Sequence, residues 1–227
     1  MSIFDRRGDH HRSRGTAFAG RVRFGFRRLL PFLFLILFLP VSSTAATLTC
    51  SRLPMVMDSF LANHYAMKSM TAEIKAQAVD QMTKSLDPSK TLLYETDVEQ
   101  LTPALQGVFA GMQGGGGCAP LQQVYDLLVA RARENETIVK EILGPDYRLD
   151  ETVEMNVDVN KRPYVKTAPE KRELLKKIVQ FQIESSLLAG IDLAEAKKQQ
   201  VHRYELQTMR VAERTPQKLI TSIAEAF

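Results

Sequence analysis

Three serines stand next to lysines: Ser69 after Lys68, Ser85 after Lys84 and Ser89 before Lys90. A serine–lysine dyad needs a lysine amine of lowered pKa at the serine hydroxyl, with an oxyanion site beside both. Neighbours in sequence do not meet that need, because adjacent residues on a helix do not face each other. No catalytic residue is therefore assigned. The segment Asn156-Val157-Asp158-Val159-Asn160 has the alternating oxygens of the first half of a calcium loop. Such a loop continues with Gly and ends on Glu at its twelfth position, where this chain has Lys161 and Thr167. No metal ligand is assigned, and no cofactor. Gly114 to Gly117 lead into Cys118-Ala119-Pro120 rather than the Gly-Lys-Ser/Thr of a phosphate loop, so they read as a flexible connection. His64 ends an apolar stripe and reads as a structural histidine; His202 lies in a charged stretch. Asn135-Glu136-Thr137 fits a glycosylation acceptor but falls in mid-helix. Arg131, Arg133, Glu134, Lys140 and Glu141 read as a solvated charged face, with an interaction face as the alternative.

The cysteines Cys50 and Cys118 carry the remaining chemistry. Neither has a CxxC partner or a nearby histidine cluster. In an oxidising compartment they can pair, and a bridge across that span would be worth about 4 kcal/mol in the chain-entropy model. Two free thiols are the second reading. Lipidation at Cys50 is the third, since Cys50 lies nine residues past the apolar run and Thr47 stands where a lipoprotein signal has leucine.

The apolar run is part of a leader. Residues up to Arg28 hold eight arginines against Asp5 and Asp9, and Leu29 to Val41 follows as thirteen apolar or proline residues. Ser42-Ser43-Thr44-Ala45-Ala46 completes the pattern of a secretory signal, with cleavage expected after Ala45. A membrane-spanning helix needs about 20 apolar residues, more than this run with Pro31 and Pro40 provides. The expectation is a signal peptide over 1–45, export to the periplasm, and inner-membrane association if the signal is not cleaved. Without residues 1–45 the formal charge changes from +4 to −2, with 22 basic and 24 acidic residues. The concentrated cationic face that nucleic-acid binding requires belongs to the leader, and no nucleic-acid partner is assigned.

The remaining residues 46–227 suit one domain with a sizeable core, and the composition favours helix. Leu53, Val56, Met57, Phe60 and Leu61 fall on one helical face. A second helix opens at Thr71, carries Ile74, Ala78, Met82 and Leu86, and stops at Asp87-Pro88. A short third helix is expected near Thr96, with Thr96 and Glu99 as a capping box. Pro120 starts a long helix that ends at Gly144-Pro145. Val153, Met155, Val157 and Val159 alternate with polar residues and predict a short extended segment. Lys161-Arg162-Pro163-Tyr164 reads as an irregular linker. Further helices start at Ala168-Pro169-Glu170, at Asp192 with Glu195, and at Thr215-Pro216. The fold class is all-α, a multi-helix domain with one short extended segment.

The order of these features resembles the N-terminal helical domain of periplasmic tail-specific proteases, the carboxy-terminal processing peptidases. Its carriers are Leu86-Asp87, Leu92-Leu93, Asp97-Val98-Glu99-Gln100-Leu101, Val124-Tyr125-Asp126-Leu127, Lys161-Arg162-Pro163-Tyr164 and Arg203-Tyr204. The family commonly has Trp where Tyr164 stands. The resemblance implies a non-catalytic domain that precedes a PDZ domain and a serine/lysine protease domain. It implies as partners those domains of the same enzyme, protein substrates with nonpolar C-terminal tails, and a lipoprotein adaptor. On this reading the chain stops before the catalytic segment, and no peptidase activity is expected from it alone. The competing expectation is a standalone periplasmic helical binding or scaffold protein.

Overall fold

The computed structural model describes residues 48–113, 117–150, 152–156 and 158–226. The signal peptide expected over 1–45, Gly114–Gly116 and Val157 lie outside the described residues. Among the described residues the chain forms seven α-helices: α1 Leu53–Asn63, α2 Ala72–Leu86, α3 Glu95–Gln113, α4 Pro120–Ile142, α5 Ala168–Leu188, α6 Leu193–Ala212 and α7 Pro216–Ala226. The architecture is all-α.

Local sequence signals set most helix ends. Thr71 caps α2 by accepting from the Ile74 N–H, Thr167 caps α5 through Glu170, and Asp192 caps α6 through Glu195. Each side chain satisfies one of the amides that a helix start leaves unpaired. Prolines occupy the first turns of α1, α4 and α5, where no donor is lost. Gly190, at φ +83°, turns the chain from α5 into α6 in the left-handed region that a side chain would strain.

Two expectations change, and a third is filled in. The helix expected near Thr96 is neither short nor capped by Thr96. It begins at Glu95 and runs nineteen residues through Pro103 and Gly111 to Gln113. The carboxylate at its start is Asp97, which accepts from the Tyr94 N–H at 2.9 Å. On α1, Leu53, Met57 and Leu61 are buried, but Val56 and Phe60 are exposed, so the buried stripe is narrower than the apolar pattern. The expected extended segment is non-helical over residues 153–156 and has no strand partner among the described residues. Val153 and Met155 are half-buried between exposed neighbours, and a 3-10 turn, Val159–Lys161, follows. Tyr94 and Val165 form an isolated parallel bridge.

The apolar side chains form two cores. The first joins α1, α2, α3, the N-terminal half of α4 and α7, around Leu53, Met82, Leu93, Leu105, Leu121 and Ile223. The second joins the C-terminal half of α4 to α5 and α6, around Val139, Leu175, Val179, Ile183 and Ala196. Helix α4 belongs to both and holds them in register.

Candidate functional site

Two polar constructions lie where the cores meet. The first is a closed ionic junction. Arg131 on α4 donates from Nε to Asp97 Oδ2 at 2.7 Å and from Nη2 to Asp97 Oδ1 at 2.9 Å. Its Nη1 reaches Glu134 Oε2 at 3.0 Å, and Glu134 also accepts from the Tyr94 hydroxyl. Lys171 of α5 is 0 % exposed; its Nζ donates to Leu92 O at 2.8 Å and pairs with Glu134 at 3.3 Å. Both cations lie against the Tyr94 ring, 4.5 Å (Arg131) and 4.2 Å (Lys171) from its centroid.

The environment tunes these groups. Burial lowers the Lys171 amine, and the Glu134 charge restores part of the loss. Burial raises the Glu134 carboxyl, but the hydrogen bonds from Tyr94, Arg131 and Lys171 and the Lys171 charge outweigh it and hold it below the usual range. Burial and the bond to Glu134 push the Tyr94 hydroxyl up. The hydrogen bond to Asp97 raises the Arg131 guanidinium. A buried lysine beside a glutamate and a tyrosine has the composition of a proton-transfer site, yet Lys171 is sealed from solvent and tied to a carbonyl. Its chemistry is structural: it holds the 87–94 loop onto α4 and α5.

Asp87 organises the same loop. Its carboxylate accepts from the backbone N–H groups of Thr91, Leu92 and Leu93, at 3.1, 2.9 and 2.9 Å. Asn135 then donates from Nδ2 to Thr91 O at 3.0 Å. The Asn135 side chain is thus a buried loop anchor, and the glycosylation pattern there is occupied by packing.

The second construction is open. Two adjoining clefts, of about 200 Å³ and about 670 Å³, run along α6 and share Ser89, Thr91, Tyr204 and Gln207 in their walls. The larger lies between α5 and α6, with Met155 and Arg162 at one side. The smaller continues beneath Leu86 and Asp87 to Arg210 and Arg214. Three buried amide oxygens in these walls lack a hydrogen-bond partner: Asn135 Oδ1, Gln182 Oε1 and Gln200 Oε1. Asn135 and Gln200 are 6 % and 2 % exposed. Such groups normally find partners.

The chemistry-bearing residues singled out in the sequence fall as follows. Cys50, before α1, is bonded to Cys118, before α4, with Cα atoms 5.9 Å apart. Five of the six serine–lysine neighbours are engaged elsewhere. Lys68 donates to Ala62 O, Ser85 to Met82 O, Lys84 to Asp80, Ser89 to Asp87 and Lys90 to Arg162 O. His64 ends α1 and its Nδ1 accepts from the N–H groups of Ala66 and Met67. Asn156 and Asp158 cap the backbone N–H groups of Asp158 and Asn160.

The charged face on α4 is not simply solvated. Arg131 and Glu134 belong to the junction, Glu141 pairs with Arg172, and Lys140 pairs with Glu136 and Glu205. Sequence reasoning missed the junction because its partners are 34 and 37 residues apart in sequence, on elements whose approach no periodicity encodes.

A comparison with curated proteins finds no match. The motifs that carry the resemblance are those that build this region. Leu86-Asp87 and Leu92-Leu93 make the buried loop, Asp97 starts α3 within the junction, and Arg203-Tyr204 lines the cleft. Residues 56–227, nearly all of the described chain, match the family model of the tail specific protease N-terminal domain, and the chain belongs to that family.

Proposed function

We propose that this chain is the non-catalytic helical domain of an exported, serine-type tail-specific protease, and that it engages a protein partner, substrate or adaptor, through the cleft along α6. The family match over 56–227 carries the reading. The cleft supports the binding role, being open where the ionic junction is closed. Export fits the signal-like segment over 1–45 and the Cys50–Cys118 bond, which persists in an oxidising compartment such as the periplasm. Hydrolysis would be performed by the serine/lysine protease domain of the same enzyme, with nonpolar C-terminal tails as the substrates.

The test is reconstitution. The full chain is mixed with a PDZ-plus-protease fragment of the same enzyme, and cleavage of a tail-bearing substrate is followed. Stable association that raises tail-dependent cleavage supports the reading. A chain that hydrolyses the substrate alone, and loses that activity on one serine or lysine substitution, overturns it.

A further inference from the structure

We infer that the cleft along α6 binds an extended acidic polypeptide segment, its carboxylates read by a stripe of unpaired arginines. Arg203, Arg210 and Arg214 are exposed and line the two clefts. Arg203, Gln207 and Arg210 follow a spacing of four and three residues, which places them on one face of α6, and Arg214 lies two residues past its end. The arginine ion pairs among the described residues belong to Arg131 and Arg172. The three stripe arginines therefore keep their charge free for a partner.

The walls contain no competing anion. Asp87 is the one acidic residue that lines either cleft, and its carboxylate is taken up by three backbone N–H groups. Arg162 adds a fourth guanidinium, held at the rim by donation to Ser89 O and Asn156 O.

The ligand's backbone is argued from the other groups in the clefts. The unpartnered oxygens of Asn135, Gln182 and Gln200 are buried just behind the cleft walls, so N–H donors of a ligand would meet them only where those walls give way. The donation of Asn135 Nδ2 to Thr91 O fixes which end of that amide is the acceptor. A polypeptide supplies N–H groups along its length and carboxylates from its side chains. A phosphodiester backbone supplies anionic oxygens without those donors. Phe181, half exposed, and Ile178 add apolar surface to the larger cleft.

The spacing sets the length. Arg203 to Arg210 spans about 10 Å of helix, the reach of about three extended residues, and Arg214 stands beyond the end of α6.

This inference rests on the cleft being the partner surface of the proposed domain. It is tested by fluorescence anisotropy with the full chain and three labelled probes. These are a 12-residue Glu/Gly/Ser peptide with Glu at alternate positions, its Gln counterpart, and a single-stranded oligonucleotide of 12 nucleotides. The acidic peptide should bind, and more weakly as salt rises. The Gln peptide should not. The triple variant Arg203→Gln, Arg210→Gln, Arg214→Gln should weaken binding roughly tenfold, as expected for the loss of three exposed pairs. The control Lys68→Gln, Lys84→Gln, Lys198→Gln removes the same charge from exposed positions elsewhere and should leave binding unchanged. Equal loss in both triples, or no binding of the acidic peptide, overturns the inference. Tighter binding of the oligonucleotide that is lost in the arginine triple variant overturns it in favour of a nucleic-acid ligand, whereas oligonucleotide binding that the variant keeps belongs to the eight arginines of residues 1–28. If reconstitution raises cleavage while the peptide fails to bind, the ligand chemistry is wrong and the domain reading stands. If the peptide binds while reconstitution fails, the domain reading is wrong and the cleft stands as a binding site.

Discussion

Arg131 grips Asp97 with two nitrogens, at 2.7 and 2.9 Å, and so fastens the start of α3 to the middle of α4. The paired geometry is open to a planar guanidinium and closed to an ammonium. Asp97 is nearly sealed from water, with its side chain 3 % exposed, so loss of the arginine leaves a buried carboxylate whose remaining partner is the Tyr94 N–H. Arg131→Ala should cost about 3 kcal/mol of unfolding free energy, the lower end of the range for breaking a buried pair. Urea unfolding measures it. A loss under about 1 kcal/mol would show that the pair behaves as a surface ion pair.

Asp87 performs a similar task on the loop that carries the cleft wall. Asp87→Ala removes the acceptor of three backbone N–H groups at once, and the unsatisfied donors should cost about 3 kcal/mol together. Asp87→Asn keeps one oxygen and should cost less. Hydrogen exchange at Thr91, Leu92 and Leu93 checks the mechanism, because their protection should fall in the Ala variant before that of α5.

Alkaline pH should loosen the fold. Burial pushes the Tyr204 hydroxyl up to about 12, from an ordinary 10. The unfolded chain therefore releases this proton first, and stability from the neutral phenol is complete below pH 10 and declines as pH rises through about 12. Tyr94 shifts in the same direction. The Lys171 amine is lowered, so its contribution rises with pH below its unfolded value and opposes theirs. Thermal melting of the wild type and Tyr204→Phe between pH 9 and pH 12 tests the tyrosine part. The variant should lose less stability across the window, and parallel curves would refute the assignment.

Reduction of Cys50–Cys118 should destabilise the first core. The bridge closes a span of 68 residues, for which the chain-entropy model gives about 4 kcal/mol. Cys50→Ser with Cys118→Ser should reproduce the effect of reductant in guanidinium unfolding. Equal midpoints for oxidised, reduced and double-variant chains would show that α1 is held by packing alone.

What the sequence revealed depended on the range of each signal. Thr71, Pro120, Asp192 and Pro216 act within one turn of themselves, and the helices they start lie where those signals put them. Near Thr96 two acids compete within the first turn, and the winner, Asp97, is set by Arg131 on another helix. The apolar pattern placed Phe60 inward with Leu61, yet α1 buries a stripe only one residue wide per turn. Lys171 received no reading from the sequence, since nothing local announces that Leu92 O and Glu134 await it. The cleft was illegible for the same reason. Its orphaned amides come from three helices, and each is unremarkable on its own.

The two cores differ in when they can form. Side chains of the second core come from α4, α5 and α6, consecutive in the chain, so it can assemble as soon as those helices exist. The first needs Leu219, Ile220 and Ile223 of α7 against Leu53 and Met57 of α1, more than 150 positions away, and Gln217 of α7 also bonds Leu48 O. During synthesis α1 and α2 must therefore wait with part of their apolar faces uncovered until α7 arrives. That interval is the stage of the chain's life most exposed to chaperones and aggregation.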